Sequence, residues 1–225
     1  MKTVIFFLNL LDSINKRKIV NFFKSEKIEI NSLFDVGAHH GETVNLFNKN
    51  FKINKIFCFE VSLINYENLK KNLKKTKNVL IFNYGLGNKE GENTFSQLEE
   101  SSSSTLVEIN KNSKYFISKK KILNFFIRKD LEILSSVVKI RQLKNFMREN
   151  SVNSIDILKI DTEGYEFNVI KGAEEKIKNI KYIYFEHHFD DMLKKKYTLT
   201  KIHNYLEENG FEKKLKMKMF FRKSF

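Results

Sequence analysis

Short apolar runs rich in β-branched and aromatic residues alternate along the chain with stretches whose apolar positions recur every three or four residues. This alternation predicts a parallel sheet flanked by helices. Five runs read as strands: SLFDV (32 to 36), KIFCFE (55 to 60), NVLIFN (78 to 83), IDILKID (155 to 161) and YIYFEHH (182 to 188). Their nearly continuous apolar character fits strands covered on both faces. Between them, Val44, Phe47 and Phe51 share one helical face, as do Tyr66, Leu69 and Leu73, and then Phe167, Ile170, Ile177 and Ile180. Each set predicts an amphipathic crossover helix. Near the C-terminus, TLTKIHNYLEENGF reads as a helix capped by Thr198, with Leu199, Ile202 and Leu206 facing inward and Gly210 at its stop. The remaining FEKKLKMKMFF alternates apolar and charged positions and predicts an antiparallel hairpin on the sheet edge.

Two stretches break the alternation. EESSSSTL (99 to 106) reads as a serine-rich loop, and residues 111 to 134 form a basic, aromatic insertion with Tyr115, Phe116, Phe125 and Phe126 among seven Lys and Arg residues. A lid or a surface-seeking amphipathic helix would show this pattern, but a helix packed on the core is the commoner cause. With 225 residues, 41% of them hydrophobic, the chain is expected to form a single domain with one sizeable core. Residues 1 to 30 read as an N-terminal helical segment. Its apolar run from Val4 to Leu11 is interrupted by Asn9 and followed by no small-residue cleavage site. The lone Cys58 lies inside an apolar run and reads as a buried thiol, which favours a reducing, cytoplasmic setting.

The formal charge of +14 would raise encounter rates with anions and favours peripheral contact with anionic surfaces. The lysines are nevertheless spread through every segment, beside abundant Asn, Ile and Phe and no Pro or Trp. A dedicated nucleic-acid footprint should cluster, so that partner is disfavoured.

In an open α/β sheet, ligands sit beyond the carboxyl ends of the strands, and the first strand-turn-helix supplies the floor. LFDVGAHHGET (33 to 43) occupies that place, with Asp35 ending the strand and Gly37 and Gly41 flanking the turn. The spacing is D-x-G-x-x-x-G, so the dinucleotide fingerprint is missing, as is any phosphate-cradling loop. The next strand ends at Glu60, 19 residues beyond Gly41, where an acid can accept hydrogen bonds from both hydroxyls of a ribose. A turn suited to a small zwitterion plus an acid for a ribose fits S-adenosylmethionine. The histidines lack the spacing of common metal sites, and no metal is expected.

FDVGAHHGET, CFEVSLINYENLKKNL, YGLGNKEGENTF, SSSSTL and above all IDILKIDTEGYEFNVIKGAEEKI resemble the FkbM-type methyltransferases, a branch of the class I S-adenosylmethionine-dependent enzymes. The resemblance runs from about residue 33 to 188, interrupted by the insertion. It implies a Rossmann-like, mostly parallel seven-stranded sheet and O-methylation of sugars, polyketides or glycan intermediates. It further places Asp35, Gly37, His39 and Gly41 on the cofactor loop, Glu60 on the ribose, and Tyr84 and Gly85 in the cofactor-facing third block. This chain departs from the family in having His39 where Asn is usual and Val61 where Pro is usual.

Methyl transfer to a hydroxyl is an in-line displacement that needs alignment and a proton acceptor. Asp161 and Glu163, past the carboxyl end of the fourth strand, are the leading candidates: one orients the acceptor while the other takes its proton. Capping of the following helix would also place acids there. His187, in FEHH beside Glu186 and His188, is a second candidate base, since an imidazole titrates near neutrality. Lys159 reads as structural and solvated. The expected acceptor is a hydroxyl of a small molecule or glycan. The alternatives are a nucleic-acid methyltransferase, for which the prolines of base methylation and the tetrad of ribose methylation are missing, and a non-catalytic S-adenosylmethionine-binding protein.

Overall fold

The computed structural model describes residues 17–98, 104–127, 132–188, 191–215, 217–219 and 222–224. Helix α1 (17–25) leads into β1 (Ser32–Val36), α2 (Glu42–Asn50), β2 (Lys55–Phe59), α3 (Leu63–Leu73) and β3 (Val79–Phe82). After an intervening excursion come β8 (Ile155–Ile160), α6 (Glu166–Lys171), a 3-10 turn (Glu174–Asn179), β9 (Ile180–His188), α7 (Leu199–Glu208), β10 (Met217–Met219) and β11 (Arg222–Ser224). These strands form one seven-stranded sheet in the order β10-β11-β9-β8-β1-β2-β3. All its described pairings are parallel except those of β11 with β9 and β10. This is the Rossmann-like α/β fold expected, and the five central strands fall within about two residues of their expected bounds.

The pleat divides the core in two. Phe34, Val36, Phe57, Phe59, Leu158, Ile160 and Phe185 point to the side covered by α5 (Leu143–Glu149), α6 and α7. Leu33, Ile56, Cys58 and Ile157 point to the other, covered by α1, α2 and α3. Successive side chains of a strand alternate faces. Asp35, Glu60, Lys159 and Asp161 therefore fall in the rows of Leu33, Cys58 and Ile157, at their carboxyl ends.

The excursion is a second sheet that the pattern did not reveal. Strands β4 (Gly85–Gly87), β5 (Gly91–Leu98), β6 (Ser104–Thr105) and β7 (Ile133–Gln142) pair in the order β4-β7-β5-β6. Its β5–β7 ribbon is half solvated, so GENTFSQL and ILSSVVKIRQ show too little continuous apolar character to stand out. The expected insertion at 111–134 resolves into α4 (Lys114–Ile127) and the start of β7.

Three other expectations are corrected. The helix drawn from Phe167 to Ile180 breaks at Gly172, where a Cβ would come 2.0 Å from the Gly87 carbonyl oxygen. Ile177 therefore lies in the 3-10 turn, and Ile180 opens β9 two residues before the expected strand start. The terminal hairpin begins at Met217 rather than in the lysine-rich FEKKL. The run from Val4 to Leu11 and serines 101 to 103 lie outside the described residues. Thr198 does cap α7, its side chain accepting from the Lys201 amide. Among the described residues no helix is long and apolar enough to cross a membrane.

Candidate active site

Register fixes which loops meet. Val36 lies beside Phe59 and Ile160, Phe59 beside Phe82, and Ile160 beside Phe185. The segments that follow those residues thus form one edge: 37–41, 60–62, 83–84, 161–165 and 186–188.

Gly37 is required by the backbone of the neighbouring strand. It has φ +76°, and a Cβ there would lie 1.9 Å from the Asp161 carbonyl oxygen. The turn after β1 is thereby pressed against the end of β8, where the Asp161 amide also donates to the Val36 carbonyl at 2.9 Å. Gly41 precedes α2 with φ +91°, a conformation that suits glycine.

Glu60 is buried and binds the turn directly. Its Oε2 accepts from the His39 amide and its Oε1 from the Ser62 amide, both at 2.9 Å. Burial raises the Glu60 carboxyl above its ordinary range, partly opposed by these two amides. Each oxygen keeps lone-pair capacity for a further donor.

Below the turn lies a charge pair. Lys159 Nζ stands 2.8 Å from Asp35 Oδ1 across the β1–β8 pairing, and it donates to the Gly37 carbonyl at 2.9 Å. Both side chains are buried. Burial works to raise the Asp35 carboxyl while the ammonium works to lower it. Burial also opposes the Lys159 charge, but Asp35 and Asp161 outweigh it and hold the ammonium above the usual lysine range. Lys159 is therefore structural, as expected, but not solvated: β8 is a central strand, and the lysine faces an acid instead of water.

His39 sits at φ 49°, its Nδ1 3.2 Å from Glu42 Oε1, and its ring stacks on that of His40 at 3.8 Å. The Glu42 contact raises the His39 imidazole. In return Glu42, despite its partial burial, is lowered to about 2 by His39, its own amide and the charge of His40. Donor atoms of His39, His40 and Glu42 lie within 4.8 Å of one another. The near-parallel stacking, at 21° between planes, keeps the in-plane lone pairs of the two rings from converging on one ion.

Asp161 and Glu163 have different surroundings. Asp161 Oδ1 is buried with no hydrogen-bond partner, close enough to Lys159 and His39 to act on both charges. The strand ends at Ile160, so strict alternation does not carry on to Glu163, which takes φ 49°. Glu163 lines a narrow cavity with Thr105, Phe116, Met192 and Leu193, and its carbonyl accepts from the Thr105 hydroxyl at 2.6 Å. His187 is buried in the row of Phe185, its ring 6.2 Å from that of Tyr197. The pleat thus sets it on the face away from Asp161, and Glu186 takes the position on the Asp161 side. Tyr84 packs on Phe59 and Phe82 beneath Arg141, while Gly85 makes room for Val61 and Ile140.

Residues 35–213 match the methyltransferase FkbM domain. The chain belongs to this family. No curated protein matches the sequence. Among solved structures, an FkbM methyltransferase from Methylobacillus flagellatus KT is similar at 14% identity over 80% of this chain, with a TM-score of 0.49, and this chain covers 37% of that one. The METTL16 methyltransferase domain is similar at 11% identity over 94% of this chain and 65% of its own, with a TM-score of 0.52. A SAM-dependent methyltransferase from Aquifex aeolicus is similar at 13% identity over 91% of this chain and 86% of its own, with a TM-score of 0.47.

The FkbM domain also holds its carboxylate loop through groups that the sequence did not single out. Fully buried Glu166 accepts from the Gly164 amide at 2.7 Å, the Thr162 hydroxyl at 3.3 Å and the Tyr197 hydroxyl at 2.7 Å. Burial and that carboxylate raise the Tyr197 hydroxyl well above its ordinary value. The available signal was an acid in the first turn of α6, ordinarily read as a dipole partner. For Lys159 it was a lone cation near the end of IDILKI, a run of otherwise apolar residues but for Asp156.

Proposed function

We propose that the domain transfers a methyl group from S-adenosylmethionine to a hydroxyl of a small molecule or glycan. The observation that carries this reading is the buried Glu60 carboxylate beside the glycine turn, on the edge where Asp161 holds an unpartnered buried oxygen. The donor set fits the cofactor: an acid with spare lone pairs for a ribose, and beside it a glycine turn, half-buried at Gly37, His39 and His40, for an amino-acid tail. When bound, the cofactor supplies an electrophilic methyl on a positively charged sulfur.

The residues supply placement and a proton acceptor. Glu60 fixes the His39 amide and so the shape of the turn. Lys159 holds the Gly37 carbonyl from below and opposes the rise that burial imposes on the Asp35 carboxyl. Asp161, at the end of β8, would accept the proton of the acceptor hydroxyl when its oxygen takes the methyl group. Glu163, on the side of the second sheet, orients the acceptor. His187 remains the second candidate base only where the acceptor bridges both faces of the sheet.

The test is turnover with labelled methyl donor against sugars, sugar nucleotides and glycans. Asp161→Asn is expected to lower kcat by at least about 100-fold with donor affinity kept. Full turnover in both Asp161→Asn and Glu163→Gln would remove these residues from the mechanism.

A further inference from the structure

Helix α4 is apolar on two sides. Phe116 buries among Leu98, Met192 and Leu193 and shares its cavity wall with Glu163, so the inner side of the helix adjoins the carboxylate loop. At 100° per residue, Lys121, Phe125 and Ile122 fall on the opposite side, with Ile117 at its flank. There Phe125 is 78% exposed, Ile122 57% and Ile117 42%. Lys114 and Lys121 are exposed on the same side. Residues 109 to 127 include five lysines and no Asp or Glu.

Three large apolar side chains with this much exposed area favour contact with an apolar surface. Apolar groups interspersed with lysines match an interface where rings and branched chains enter the acyl boundary and ammonium groups reach headgroup phosphates. The net charge of +14 draws the whole chain toward such a surface. We propose that α4 docks the protein on an anionic lipid bilayer, placing the Glu163 side of the site next to that surface. The docking itself is independent of methyl transfer; its consequence for the acceptor rests on the reading above.

Sedimentation of the full chain with vesicles of phosphatidylcholine containing phosphatidylglycerol tests this, with pure phosphatidylcholine as the comparison. Wild type is expected to partition onto the anionic vesicles and to be released by salt. Ile122→Ser with Phe125→Ser is expected to lower the partition coefficient at least about tenfold. Lys114→Glu with Lys121→Glu is expected to lower it by roughly fivefold or more per site at low ionic strength. Unfolding midpoints within a few degrees of wild type, and unchanged calorimetric binding of S-adenosylmethionine, would confirm that each variant is folded with its cofactor edge intact. Equal partition of wild type and the serine variant would overturn the proposal, as would equal affinity for pure phosphatidylcholine. So would light scattering in which the serine variant turns an oligomer into a monomer without altering vesicle binding, since the face would then join copies of this chain. Loss of donor binding in wild type with vesicle binding kept would instead count against the methyl-transfer reading alone.

Discussion

The turn after β1 and the helix α4 flank the same carboxylate loop, and they are built in opposite ways. The turn is held by contacts that tolerate almost no displacement: Gly37 against the Asp161 carbonyl, two amides on the Glu60 carboxylate, and a buried ion pair beneath. Helix α4 is anchored by Phe116 and a small apolar cluster, and it offers its other side outward. The difference separates two demands on such an enzyme. A cofactor that is the same in every cycle calls for preorganised backbone, whereas acceptor choice and partner contact belong to attached, variable elements that a rigid scaffold positions.

The largest effect that would expose this contrast is at Gly37. Gly37→Ala places a Cβ 1.9 Å from backbone oxygen at positive φ, so a loss above about 4 kcal/mol, or no folded protein, is expected. Gly210→Ala, also at positive φ but with open space around it, should cost only about 1 kcal/mol. Denaturant unfolding decides, and equal losses would show that the close approach of β1 and β8 matters little.

Next in size is the pair under the turn. Lys159→Met leaves Asp35 buried without its cation, and about 3–5 kcal/mol should be lost. Adding Asp35→Val should restore at least half of that, because the unpaired charge and not the missing pair carries the cost. Lys159 is held above its ordinary value of 10.5. Its contribution to stability is therefore complete below that pH and declines as pH rises through the elevated value.

The smallest effect concerns His39 and Glu42, whose side chains are 40% and 49% exposed. The raised His39 contributes stability that is present below pH 6.5 and lost as pH rises through its elevated value. The lowered Glu42 contributes stability that is present above pH 4.5 and lost as pH falls toward about 2. Solvent screening keeps the contribution under about 1 kcal/mol. Thermal scans should show Glu42→Gln flattening the decline between pH 6 and 8 by a degree or two; identical slopes in both proteins would show that the pair is idle.

The central sheet was legible because buried parallel strands must be continuously apolar, and the glycine turn was legible because it follows the first of them. The second sheet was hidden because GENTFSQL and ILSSVVKIRQ face water on one side and mix polar with apolar residues. Lys159 was legible as an oddity but not as a partner of Asp35, since that pairing depends on which strand lies beside β8. Glu166 and Tyr197 are 31 residues apart, and only the chain's return across α6 and β9 brings them together. The same register set His187 on the face away from Asp161, something the alternation within FEHH could hint at but not resolve without knowing which row faces the site.

The central claim is that one S-adenosylmethionine binds at the edge made by the glycine turn and Glu60. Calorimetric titration of wild type and Glu60→Gln tests it most directly, because glutamine keeps one acceptor oxygen but loses the charge offered to a ribose and the second acceptor that holds the turn. One-to-one binding by wild type is expected, weakened by roughly 10- to 100-fold in the variant. Absence of binding by wild type, or the same affinity in both proteins, would contradict it.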